Sequence, residues 1–414
     1  MRPRWSKIDS FLKNYTSEKL TEFRSCPICG STNSKKILEF TDLQFFSDSA
    51  ELPKRANIIQ RQCLDCFCVY MNPVYTSYGY RVLFAEASYS YGNPVRYDNK
   101  LYHWLKQKQL IFPGMSVLDL GCNEGEFLSK LDNRIKKVGV ERNKIAITRG
   151  RKKYKDSNLK LINSDIESFA YPGKFDLVTM FHILEHLTWP VDVLRKIRRL
   201  LEPKGKLLIE VPILENEITT DIHGFFSGQH TTHFTKNSLE NCLALAGYRI
   251  LDRKIKKSYN YNGYLVLAAK GKITKISLNL NVPTLVEKKL SYWYGVIERI
   301  NRKFYNLRSK NCVIWGGGGH TETLFHLTDL FKIKPDRKWI IVDNDPHKIG
   351  KTWRGIPIYP KAVLKKIDWL NTKLVISTFS GEKGIITEAI ALGIKLNKII
   401  RLYDDIPVEQ LSVK

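Results

Sequence analysis

The sequence predicts an α/β chain in which two units of alternating strands and helices follow a small knot built on cysteines. Three observations carry that reading. Apolar strands alternate with amphipathic helices from about residue 110 to 270, a second alternation begins at the run CVIWGGGGH, and two Cys-x2-Cys pairs precede both. At 414 residues the chain exceeds what one core organises, so two or three domains are expected.

Composition narrows the function classes. The apolar share of 43% suits globular folding. No stretch approaches the roughly 18 uninterrupted apolar residues of a membrane span, and the start MRPRWSKIDSFLKNY lacks the apolar core of a signal peptide. A cytoplasmic location is the expectation. In that reducing setting the eight cysteines read as thiols or metal ligands, not as a disulfide framework. The net charge of +26, from 67 Lys+Arg against 41 Asp+Glu, would attract polyanions. Only RGRKKYK (149–155), RKIRR (195–199) and RKIKK (253–257) are dense, however, and the rest is scattered among Ile and Asn. A solvated basic surface is expected in preference to a nucleic-acid groove.

The knot spans residues 1–75. Cys26-Pro-Ile-Cys29-Gly30 and Cys63-Leu-Asp-Cys66 each place two thiols on one side of a tight turn, and together they complete a tetrahedral S4 set for Zn2+. Such a closed set has no open position, so its role is structural. Cys68 is a spare, expected to pack. A zinc ribbon can also bind nucleic acid, which leaves a second reading open: a binding protein whose core does not turn over.

The central unit, residues 76–271, opens with strand VLDL and the turn Gly121-Cys-Asn123-Glu-Gly125. Its glycines let the backbone approach a ligand closely. Glu141 ends the next strand, KKVGVE, where a carboxylate can accept two ribose hydroxyls. Asp165 and Ile166 follow the third strand, LKLIN, at the place for an adenine amine and ring. The fourth strand, FDLVTMF, runs into His182-Ile-Leu-Glu185-His186, and LEPKGKLLIEVP supplies the fifth. The succession DLGCNEG, VGVE, NSDI, FDLVTMFHILEHL and LEPKGKLLIEVP resembles the class I methyltransferases. The resemblance implies a Rossmann-like core with a seven-stranded sheet, its last strand antiparallel, and AGYRI and YLVLAAK as the closing hairpin. It also implies S-adenosylmethionine, held by Asp119, Gly121, Asn123, Gly125, Glu141, Asp165, Ile166 and His182. Asn123 stands where that family often has a second glycine, and asparagine tolerates positive φ. His182 and His186 have a spacing that can serve a metal, but the resemblance makes this segment the cap of the fourth strand.

Residues 272–310 show apolar positions at helical spacing and predict a connecting helix. Residues 311–414 predict a second Rossmann-like, nucleotide-binding-like α/β domain. The order of knot, methyltransferase core and C-terminal α/β domain resembles the deoxysugar C-methyltransferases. That resemblance implies a base in the loop SGQHTTHFT (227–235), where His230 matches the family histidine, Gln229 replaces a glutamate and Gly228 replaces an aromatic. An amide takes no proton, so His230 is the expected base and His233 the second candidate. HTTHFT is also similar to the loop of O-methyltransferases, and both carbon and oxygen transfer stay open. In the C-terminal unit Thr321 stands where a G-x-G-x-x-G turn needs its third small residue. NAD is therefore not expected there, but the helix start and Asp343 suit the nucleotide end of a substrate. The tyrosines of 86–97 are candidates to close over the cofactor. The expected partner is a small molecule, a nucleotide-linked or polysaccharide-precursor sugar; a quinone-type small-molecule O-methyltransferase is the enzymatic alternative.

Overall fold

A computed structural model describes residues 20–45, 54–84, 99–155, 158–215, 221–223, 228–256, 263–305, 307, 309–334 and 336–403. The tyrosines of 86–97 lie outside these residues.

The central sheet has seven strands, in spatial order Tyr248–Lys256, Gly263–Lys270, Leu201–Pro212, Phe175–Phe181, Ser116–Leu120, Lys136–Glu141 and Leu159–Asn163. Strand Gly263–Lys270 runs antiparallel to Leu201–Pro212, whereas the inner pairs are parallel. This is the Rossmann-like class I arrangement. Its inner strands read as continuous apolar runs because helices cover both faces, and Val117, Leu118, Val138, Val178 and Leu208 are buried accordingly.

The N-terminal hairpin of Ser34–Phe45 and Lys54–Cys63 continues into Val69–Met71, and the short strand Thr232–His233 of the central unit joins that sheet as its edge. Thr232 pairs with Tyr70, and His233 with Val69. Arg24 clips the same junction. Its Nε donates to the Met71 carbonyl at 3.2 Å and its Nη2 to the Thr231 carbonyl at 2.6 Å, while the guanidinium lies 5.7 Å from the Tyr70 ring centre and 5.9 Å from that of Trp189. Burial pulls that guanidinium down to about 10.

A third sheet orders Thr352–Trp353, Ile356–Pro360, Lys338–Asp343, Asn311–Trp315, Thr372–Ile376 and Ile399–Ile400. The 24-residue helix Val282–Tyr305 lies where the connector was expected. Its apolar stripe Val286, Trp293, Val296 and Ile300 shares one core with Phe40 and Ile58 of the N-terminal hairpin and with Ile314 and Ile341 of the third sheet.

Buried charge crosses the same contact. Arg354 donates from Nε to Glu322 Oε2 at 3.0 Å and from Nη2 to the Asp42 carbonyl at 2.7 Å, and Arg55 donates to Asp42 Oδ2 at 2.9 Å. Trp353 Nε1 and the Gln44 amide complete the shell of Glu322 at 2.9 and 2.7 Å. Removing Arg354, which touches both acids, leaves buried charge uncompensated. Arg354→Met should therefore cost about 3–5 kcal/mol in denaturant unfolding, where a surface ion pair would cost under about 1 kcal/mol.

Candidate active site

The residues expected to hold the cofactor gather at the carboxyl ends of four adjacent parallel strands, where doubly wound sheets bind ligands. Asp119 is buried in the strand end, and its Oδ1 accepts from Thr179 Oγ1 at 2.7 Å. The chain then takes positive φ at Gly121 (78°), Asn123 (51°) and Gly125 (88°), so the asparagine adopts the left-handed geometry asked of it. A Cβ on Gly121 would stand 2.0 Å from Ile183 Cδ1. Glu141 accepts from the Asn123 amide at 3.2 Å and from the Asn143 amide at 2.9 Å, which ties the second strand to the turn. Asp165 is exposed and 3.5 Å from Arg142 Nε, Ile166 is half-buried, and Arg142 stacks 4.3 Å from the Tyr80 ring centre.

His182 leaves the fourth strand at φ 54°. Its Nε2 lies 3.3 Å from Glu210 Oε1 and its Nδ1 3.6 Å from Glu185 Oε1. Burial favours the neutral ring, but the two carboxylates outweigh it and raise His182 to about 9. Burial likewise pushes Glu185 up, and the surrounding histidines outweigh it, leaving the carboxyl at about 2.

His230 is half-buried, with its ring centre 4.9 Å from that of His186 and 5.8 Å from that of His233. Burial holds His230 well below the ordinary histidine value and His233 at about 3, so both rings are neutral at neutral pH. His233 sits inside a strand pair, whereas His230 lies in the turn before it. Tyr75 reaches this turn from the N-terminal sheet and donates its hydroxyl to the Gly228 carbonyl.

The four expected metal ligands also meet. Cys26 Sγ lies 3.5 Å from Cys66 Sγ and Cys29 Sγ 3.6 Å from Cys63 Sγ, and all four sulfurs fall within 4.8 Å of one another. Zinc–sulfur bonds of about 2.3 Å in a tetrahedron give sulfur–sulfur edges of about 3.8 Å, so the set fits such an ion. Gly30 turns at φ 77° and donates its amide to the Cys26 carbonyl at 2.9 Å. Cys68 is buried outside the set.

In the C-terminal unit Gly317 N donates to Asp343 Oδ2 at 2.7 Å, repeating the turn-to-carboxylate contact made by Asn123 and Glu141. His223 of the central unit packs over this turn, where a Cβ on Gly319 would stand 2.8 Å from His223 Cε1, and its Nδ1 lies 2.8 Å from Thr323 Oγ1.

Sequence reasoning missed Arg24, Tyr75, Glu210 and Gly150. Glu210 was hidden in an apolar strand, although a lone buried acid within LLIEVP is itself a signal. Gly150 stands within a basic run, yet a Cβ there would stand 2.2 Å from the Glu124 carbonyl oxygen, so the glycine lets helix Lys144–Lys153 rest on the turn Gly121–Gly125.

Fold and turn together define a class I methyltransferase core. Comparison with known proteins agrees: the model of the methyltransferase domain family matches residues 96–253. The ubiquinone/menaquinone biosynthesis C-methyltransferase UbiE of Shewanella oneidensis is 29% identical over 125 residues, covering 28% of this chain and 50% of that protein. The corresponding protein of Shewanella frigidimarina is 28% identical over the same shares. The chain thus spans half the length of these curated relatives. Among solved structures, a putative S-adenosylmethionine-dependent methyltransferase from Listeria monocytogenes matches with a TM-score of 0.35 at 17% identity, covering 41% of this chain and 98% of that one. No described helix is long and apolar enough to cross a membrane.

Proposed function

We propose that the chain transfers the methyl group of S-adenosylmethionine to a small hydroxylated acceptor, a nucleotide-linked or polysaccharide-precursor sugar, with His230 activating the acceptor. One observation carries the reading: the edge strand Thr232–His233 belongs to the N-terminal sheet while the turn before it, bearing His230, lies against the Glu185–His186 cap of the fourth strand. The acceptor seat is thereby framed by two modules, and residues 221–223 of the same connection touch the third through His223. A seat framed by three modules suits a two-part acceptor, sugar at His230 and nucleotide toward the C-terminal glycine turn. A single-ring acceptor would need the core alone. The four thiolates hold zinc as a structural ion, keeping the edge strand in place.

A second reading, methylation of a quinone-type ring, is favoured by what the Shewanella relatives are named for. The test offers labelled S-adenosylmethionine together with nucleotide-linked keto-sugars, nucleotide-linked hydroxy-sugars and a quinol. Label is expected in a sugar product, and His230→Ala should lower the rate by about 100-fold or more. Label in the quinol alone would replace the sugar reading, and an undiminished His230→Ala variant would remove the histidine from its role. Mass fragmentation of the product separates carbon from oxygen transfer.

A further inference from the structure

Glu185 lies in the turn Leu184–His186, 1% exposed, and neither of its carboxylate oxygens receives a hydrogen bond among the described residues. Its nearest imidazole nitrogens, His182 Nδ1 and His186 Nε2, stand off at 3.6 and 3.7 Å. A carboxylate out of water costs several kcal/mol unless cations answer it, and His182, which faces Glu185, is shared with Glu210. The geometry at His186 says which kind. Its Nδ1 lies 3.0 Å from the Gln229 carbonyl oxygen, and a carbonyl can only accept, so Nδ1 carries the hydrogen. In the neutral ring Nε2 then presents its lone pair toward Glu185. Two electron-rich atoms facing each other at that distance leave room for a positive centre between them. A third donor closes the set, because the ligand atoms of Glu185, His186 and His230 all lie within 4.8 Å of one another.

We propose that Glu185, His186 and His230 form a second metal site, distinct from the four-cysteine cluster, that takes a divalent transition ion of the zinc or iron(II) class. Metal–ligand bonds of about 2.0–2.2 Å in a tetrahedron give donor–donor edges of about 3.4 Å, close to the 3.7 Å between Glu185 and His186. Two imidazoles and one carboxylate suit such ions better than calcium or magnesium, which prefer all-oxygen shells. The supports of a ligand set are also in place. The Nδ1 hydrogen bond to Gln229 fixes the His186 tautomer, and the Thr231 amide donates to the Glu185 carbonyl at 2.8 Å, joining the turn to the loop that carries His230. His182 stays outside the set, between Glu185 and Glu210.

Three protein ligands leave positions open. An acceptor oxygen bound there would release its proton to solvent more readily, and His230 would serve that step as a ligand of the ion and not as the base. That last step rests on the methyl-transfer reading; the binding of metal does not. The full chain produced in medium with cobalt(II) as the sole added transition metal should carry two cobalt ions, of which only the cysteine-bound one shows thiolate-to-cobalt charge-transfer absorption. Glu185→Gln and His230→Gln should each reduce the content from two to one while leaving the thiolate band intact, and that band also reports that the knot has folded. Cobalt without the thiolate band in the wild type, lost in either variant, would equally support the site. A wild type whose cobalt is all accounted for by the thiolate band, or variants that keep both ions, would overturn it and assign the positive centre to a proton on His186.

Discussion

Cys63→Ser is expected to strip the N-terminal ion and lower the melting temperature of the whole chain by more than 10 °C. Cys63 is fully buried, its amide donates to the Cys68 carbonyl at 2.9 Å, and its sulfur stands 3.6 Å from that of Cys29. A structural zinc set of this kind contributes on the order of 10 kcal/mol of apparent folding free energy at neutral pH. The loss would not stay local. Cys63 ends the strand that pairs with Val69–Met71, and that strand in turn holds Thr232–His233 and the turn bearing His230. Zinc content by a chromophoric chelator and a thermal melt check it together. Full zinc retention with an unchanged melt would show that the four sulfurs are ordinary buried thiols.

Gly150→Ala is expected to weaken S-adenosylmethionine binding by about 100-fold, roughly 2.7 kcal/mol. The added methyl would stand 2.2 Å from the Glu124 carbonyl oxygen, a backbone atom of the turn Gly121–Gly125 that cannot swing aside. Helix Lys144–Lys153 must then back away or the turn must deform, and overpacking of this sort typically costs about 1–3 kcal/mol. Either movement disturbs Glu141, which is bonded to both the turn and the helix cap through Asn123 and Asn143. Calorimetric titration of the cofactor checks it, with circular dichroism confirming that the variant is folded. Unaltered affinity would mean that the cofactor does not sit against this turn.

The parts legible in the sequence were those whose signal is local. The strand-turn-helix at Gly121–Gly125, the acid closing the second strand and the two cysteine pairs each depend on neighbours within a few residues. The basic runs were also local, and each has a structural setting. Arg151, Lys152 and Lys153 complement the end of a helix dipole, Arg198 donates to the Gly247 carbonyl at 2.9 Å, and Arg253 and Lys254 are exposed on an edge strand, where charge discourages further pairing. What stayed hidden depends on distant segments. Glu185 and His230 meet only after the fold is made, and a two-residue strand such as Thr232–His233 carries no periodicity to betray its partner. Arg24 looks like any surface cation until its guanidinium is found bonded to two carbonyls more than a hundred residues apart in the chain.

Residues 96–253 are expected to hold S-adenosylmethionine on the turn between Gly121 and Gly125 while His230 faces the acceptor. The most direct measurement is calorimetric titration of S-adenosylmethionine into the full chain. One equivalent is expected to bind per chain, displaced by S-adenosylhomocysteine and reduced in affinity by Gly150→Ala. No heat of binding, or binding of undiminished affinity in that variant, would contradict it.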